Sequence, residues 1–139
     1  MDLSPEMLAL ARERVARNRW QNVALIERNA EEVDLRPNSV DAVLCFYAQD
    51  VLGSPRALES AVGVLRPGGR FVATGGKRAG GWRGVLIDRI TRALLSPFVA
   101  NRSLSPHPWR HLERLVGALA VEDRLWGSAY LARGVKVSR

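Results

Sequence analysis

At 139 residues, with 47% hydrophobic and 25% charged residues, the chain has the size and composition of one ordinary globular domain, not of a disordered or fibrous protein. No apolar run approaches the about 20 residues that span a bilayer, and no charged-then-apolar leader precedes a cleavage site, so the expected location is cytoplasmic. The net charge of +7 invites an anionic partner, but the cations are mostly arginines scattered over nearly every segment, and only Lys77 and Lys136 are lysines. Such a spread argues against a nucleic-acid function, which needs a stripe or patch.

Ser4-Pro5-Glu6 reads as a helix start, with a capping serine, a proline where no N–H is needed, and an acid at the positive dipole end. Met7, Leu8, Ala11 and Val15 recur on one face and predict a helix to about Asn18. "NVALIE" (22–27) predicts a short strand. "SVDAVLCFY" (39–47) predicts a longer one, of the continuous apolar kind covered on both faces. The stretch between them, "RNAEEVDLRPNS", reads as loop with at most one helical turn. Cys45, the single cysteine, falls inside the second strand and predicts a buried, unreactive thiol.

Ser54-Pro55 repeats the capped, proline-first start, and Ala57, Leu58, Ala61, Val62 and Leu65 form the buried stripe of that helix. Arg66-Pro67-Gly68-Gly69 stops it and leads into a strand "RFVAT" (70–74). "GVLIDRITRALLSPFV" and "PWRHLERLVGAL" read as helices, and "AVEDRLWG" and "AYLARGVKV" as a closing antiparallel hairpin with its turn near Gly127-Ser128. Alternation of this kind, without repeat or linker, predicts a single α/β domain over residues 1–139 with a largely parallel sheet. The strands near 22–28, 40–46 and 70–74 are expected in one sheet, the last two adjacent and parallel.

In order and spacing, "DLSPEMLALARERV", "NAEEVDLRPNSVDAVLCFYAQDVLGSPRALESAVGVLRPGGRFV" and "AYLARGVK" resemble the class I S-adenosylmethionine-dependent methyltransferases, in particular the type-11 domain family. The resemblance implies a Rossmann-like methyltransferase fold, S-adenosylmethionine as cofactor, and a small-molecule or lipid acceptor. It also assigns cofactor contacts. Asp2 matches the acidic strand end that accepts from both ribose hydroxyls, a role suited to an acceptor-only carboxylate. Leu3 matches the apolar residue on the adenine face. Asn29 stands where the family commonly has Asp receiving the adenine amino group, beside the Ala30 backbone N–H. Phe46 and Tyr47 match the strand end that lines the cofactor and acceptor pocket. Each has a purely structural alternative: a solvated turn acid, a turn former, a core aromatic.

The family's first strand and its glycine-rich cofactor loop are expected just before Asp2, so the resemblance implies an N-terminally incomplete domain that begins at the end of the second strand. Met1 would then stand where a GTG valine codon was read as a start. An incomplete site implies impaired methyl transfer unless another chain completes the sheet. The alternative is a non-catalytic remnant acting as a subunit, or as a module for anionic lipid or nucleic acid.

Three other features carry less. "GGKRAGGWRG" (75–84), with Lys77, Arg78 and Arg83, offers an anion site or a mobile loop, but has neither the P-loop nor the dinucleotide glycine spacing. The basic, amphipathic stretch with Leu86, Ile87, Ile90, Leu94 and Leu95 suits peripheral membrane contact or ordinary packing on the sheet. His107 and His111 are four apart, but Pro108 and Trp109 intervene and no metal site is expected. Either can serve as a general base. No residue is singled out as catalytic, since methyl transfer relies chiefly on in-line alignment.

Overall fold

The computed structural model describes residues 1–77 and 105–137. Helix α1 runs Pro5–Arg17, where Ser4 Oγ accepts from the Met7 N–H at 3.2 Å and Asn18 closes the C-terminus. The backbone N–H at this helix start and the Ser4 hydroxyl hold the Glu6 carboxyl below its usual range. Only Leu8 of its apolar face is buried, and Met7 and Leu10 remain exposed.

Residues 22–28 form no strand. Their one pairing is an isolated parallel bridge between Glu27 and Asp2, closed by Asp2 N–H to Ile26 O (3.1 Å) and Arg28 N–H to Asp2 O (3.2 Å). A ladder needs several consecutive partners, and among the described residues this segment has one.

The sheet is built from β1 (Val40–Phe46), β2 (Leu65–Gly76), β3 (Ala120–Arg124) and β4 (Ala129–Val135), in the order β1-β2-β4-β3. β1 and β2 are parallel and adjacent, as predicted, with Val43 beside Phe71 and Phe46 beside Thr74. β4 lies antiparallel to both β2 and β3, so the sheet is mixed rather than mostly parallel. β2 is longer than "RFVAT" because its first residues, Leu65 to Gly69, already pair or turn beside Val40 and Lys136.

Between β1 and β2 stand a short helix α2 (Gln49–Gly53), which the sequence did not announce, and α3 (Pro55–Val64), capped by Ser54 Oγ accepting from Ala57 N–H. Helix α4 (Arg110–Val116) precedes β3. It sits so tightly on β4 that a Cβ at Gly134 would fall 2.7 Å from Val116 Cγ2, so only glycine fits there. The stretch 84–99 lies outside the described residues.

One face of the sheet carries the core: Cys45, Phe71, Ala73, Tyr130 and Ala132 pack with Leu52, Leu58, Leu65, Leu112 and Val116. The expectation that β1 is covered on both faces fails. Leu44 and Phe46 point the other way and are 67% and 70% exposed, because among the described residues nothing packs over that face. Lys136 closes the far end of α3. Its Nζ donates to Val62 O (2.8 Å), Leu65 O (2.6 Å) and Asn38 Oδ1 (2.9 Å), placing a cation on the negative end of the helix dipole.

Candidate functional site

The parallel bridge ties Asp2 to Glu27, two residues before Asn29, the second of the sequence-nominated polar groups. Asp2 and Asn29 each stand at or just past the end of neighbouring extended segments that run in the same direction. Both side chains fold back on their own turns: Asp2 Oδ1 accepts from Ser4 N–H at 2.9 Å, and Asn29 Oδ1 from Glu31 N–H at 3.0 Å. These turns fix where the side chains point while leaving Asp2 exposed with a second carboxylate oxygen free to accept, which fits a pair of ribose hydroxyls. Leu3 is 65% exposed beside them and Ala30 is half-buried, so an apolar surface and a backbone N–H accompany the two polar groups.

Phe46 and Tyr47 end β1, where parallel strands of an open sheet present ligands. Tyr47 adopts φ 53°, an unfavourable left-handed conformation for a bulky aromatic residue, and its N–H is held by Thr74 O at 2.8 Å. Strain kept at a strand end is typical of ligand sites, since the surrounding structure must hold it in place. The two rings meet edge to face, with centroids 5.1 Å apart, and both are exposed, so neither is the core residue of the structural alternative.

The structure adds a polar cluster that sequence reasoning missed. Lys77 Nζ pairs with Asp123 Oδ1 at 2.6 Å and lies 5.6 Å from the Trp109 ring centroid, and Trp109 stacks on Tyr130 at 4.9 Å. Asp123 and Tyr130 are cross-strand neighbours, and Tyr130 is in turn opposite Gly75. Register across β2, β4 and β3 brings these residues together, and no local sequence signal reports it. Lys77 is thereby neutralised and mostly buried, which removes it from the anion site that "GGKRAGGWRG" suggested; residues 78–84 lie outside the described region.

The Tyr130 hydroxyl is buried with no hydrogen-bond partner among the described residues. It faces the side-chain-free space over Gly75, with the Gln49 carboxamide on the other side. Burial, and secondarily the nearby Cys45, pushes its pKa up to about 12. Burial also raises the Cys45 thiol to about 11, keeping it protonated and inert as predicted. His107 precedes α4 and packs edge to face on Trp109, so helical i, i+4 spacing with His111 does not apply. Elsewhere a polar cleft of about 460 Å³ is lined by Glu31, Glu32, Arg56, Glu59 and Ser60, and its acidic wall suits no anionic ligand.

Comparison with known proteins bears on the family and the fold. The methyltransferase domain family matches residues 1–73. The ubiquinone/menaquinone biosynthesis C-methyltransferase of Brucella canis is 38% identical over 74 residues, covering 52% of this chain and 28% of that protein. The Rhizobium rhizogenes counterpart is 36% identical over a similar stretch, so the match spans less than a third of these relatives. In fold, a SAM-dependent methyltransferase from Thermotoga maritima superposes with a TM-score of 0.71 at 22% identity, over 96% of this chain and 70% of that one. A geranyl diphosphate methyltransferase in complex with SAM gives 0.71 at 15% identity, over 98% and 67%. With the family match covering more than half its length, and with the same α/β architecture, the chain belongs to the class I S-adenosylmethionine-dependent methyltransferases.

Proposed function

We propose that this chain carries the nucleoside-binding part of an S-adenosylmethionine-dependent methyltransferase acting on a small apolar or lipid acceptor. The observation that supports this reading is the Asp2–Glu27 bridge, which ties the exposed Asp2 carboxylate to the segment that leads into Asn29 and Ala30. When bound, the cofactor supplies an electrophilic methyl group on a sulfonium. Asp2 and Asn29 hold its nucleoside, and Phe46 and Tyr47 wall the space toward the acceptor. Alignment then supplies most of the rate. The acceptor class rests on the exposed aromatic strand end and on the quinone-biosynthesis relatives.

We further infer that β1 takes up another parallel strand along its open edge and that methyl transfer by the isolated chain is impaired without it. β1 is the end strand of the order β1-β2-β4-β3, and residues 22–28 make a single bridge, which supports a strand seated between them. The same open edge supports the second reading, a non-catalytic subunit of a larger assembly.

Titration with S-adenosylhomocysteine tests the nucleoside site. Asp2→Asn keeps an acceptor for the Ser4 N–H but removes the charge-assisted pair, so binding should weaken about tenfold with an unchanged melting temperature. Equal affinity in both proteins would reject Asp2 as a ribose contact, and absence of binding with or without an added strand-bearing chain would favour the subunit reading.

A further inference from the structure

The turn joining β3 to β4 is made of Leu125, Trp126 and Gly127, with φ of 47°, 54° and 84°. Three consecutive left-handed residues are unfavourable for L side chains, and glycine or asparagine would occupy the first two positions with far less strain. Nor does packing offset the strain, since Leu125 is 62% and Trp126 85% exposed. The turn is nevertheless held firmly. Ser128 N–H and Oγ both donate to Leu125 O (3.1 and 2.7 Å), and Lys77 N–H donates to Ser128 O (2.9 Å). A rigid, strained tip that displays leucine and tryptophan to solvent is the pattern of a surface kept for contact.

Its placement narrows the partner. Ala129 pairs with both Gly76 and Arg124, so the tip lies at the C-terminal end of β2, the end at which β1 presents Phe46 and Tyr47. Four exposed apolar residues, Phe46, Tyr47, Leu125 and Trp126, therefore share one rim of the sheet with the acceptor site. Tryptophan favours the head-group boundary of a bilayer, where the indole ring is half in lipid and its N–H stays wet. A net charge of +7 over the chain complements an anionic leaflet, while Arg124, which flanks the tip, is paired with Glu122 and adds little locally.

We propose that the Leu125–Trp126 tip inserts into the head-group region of an anionic bilayer and holds the acceptor rim against the membrane. For the acceptor's being a membrane-soluble molecule this rests on the function proposed above, but the contact itself is independent of the cofactor.

The test is flotation of the full chain with vesicles of phosphatidylcholine containing about one third phosphatidylglycerol, beside pure phosphatidylcholine. The chain should float with the anionic vesicles, and brominated lipid should quench its tryptophan emission. Trp126→Ser should lower the partition constant about tenfold. Trp126→Phe should keep flotation and lose most of the quenching. Trp126→Gly should lose flotation while melting at a higher temperature, because it relieves the left-handed strain; this separates contact from fold damage. The proposal is overturned if the chain floats with neither vesicle, or if Trp126→Ser and Leu125→Ser float like the wild type, in which case scattered charge alone accounts for binding. Vesicle binding without any S-adenosylhomocysteine binding would leave the tip standing and reject the nucleoside site.

Discussion

Of the sixteen buried apolar side chains among the described residues, Leu8 is the single one that precedes residue 40; the others belong to β1, β2, β4 and the helices packed on them. The N-terminal segment instead has caps, Asx turns and one isolated bridge, with Leu3, Met7, Leu10 and Trp20 exposed. The contrast shows a division of labour: the sheet and its helical layer hold the core, and the segment before them carries exposed polar groups held by local hydrogen bonds, the groups assigned above to the proposed nucleoside site. It follows that binding, not folding, should be what changes most when the first 39 residues are altered.

Core truncation should show the contrast most sharply. Leu58→Ala or Leu112→Ala, both at fully buried positions, should lower unfolding free energy by about 2–5 kcal/mol in urea titrations. Leu10→Ala, exposed on α1, should stay within about 0.5 kcal/mol. Equal losses would mean that α1 packs more firmly than the exposure of its apolar face indicates.

Lys136→Met should come next, at about 2 kcal/mol, because it strips a charged donor from the carbonyls at the end of α3. Hydrogen exchange in that last helical turn should rise with it, while the α1 amides, remote from Lys136, should not change.

A smaller effect should appear with pH. Cys45 and Tyr130 both titrate higher in the folded chain than unfolded, about 11 and about 12 against ordinary values of 9.0 and 10.0. The unfolded chain therefore loses these protons first, so their contribution is complete below pH 9 and is lost as pH rises through 11 to 12. Thermal melts should show a decline across that window that Cys45→Ala makes shallower.

The smallest shift should be Tyr130→Phe. It removes a buried hydroxyl that has no partner among the described residues, so stability should hold or rise by about 1 kcal/mol, whereas loss of stability would reveal a partner outside them.

Local chemistry made much of this legible in advance. Ser4-Pro5 and Ser54-Pro55 marked two helix starts that the structure places at those residues, and Gly127-Ser128 marked the closing hairpin. These signals depend on neighbours within four positions, which a sequence displays directly. The resemblance likewise located Asp2, Asn29 and Tyr47 at segment ends, although it could not report the left-handed backbone at Tyr47 or the turns that engage the two polar side chains.

What the sequence by itself determined, then, is the capped helices, the apolar strands, the inert thiol and the methyltransferase family. Only the tertiary structure decided that, among the described residues, "NVALIE" makes a single bridge and one face of β1 is left uncovered, and that Lys77, Asp123, Trp109 and Tyr130 meet. The physical reason is that an apolar run specifies a willingness to be buried, whereas pairing and coverage depend on which distant segments are present to supply partners.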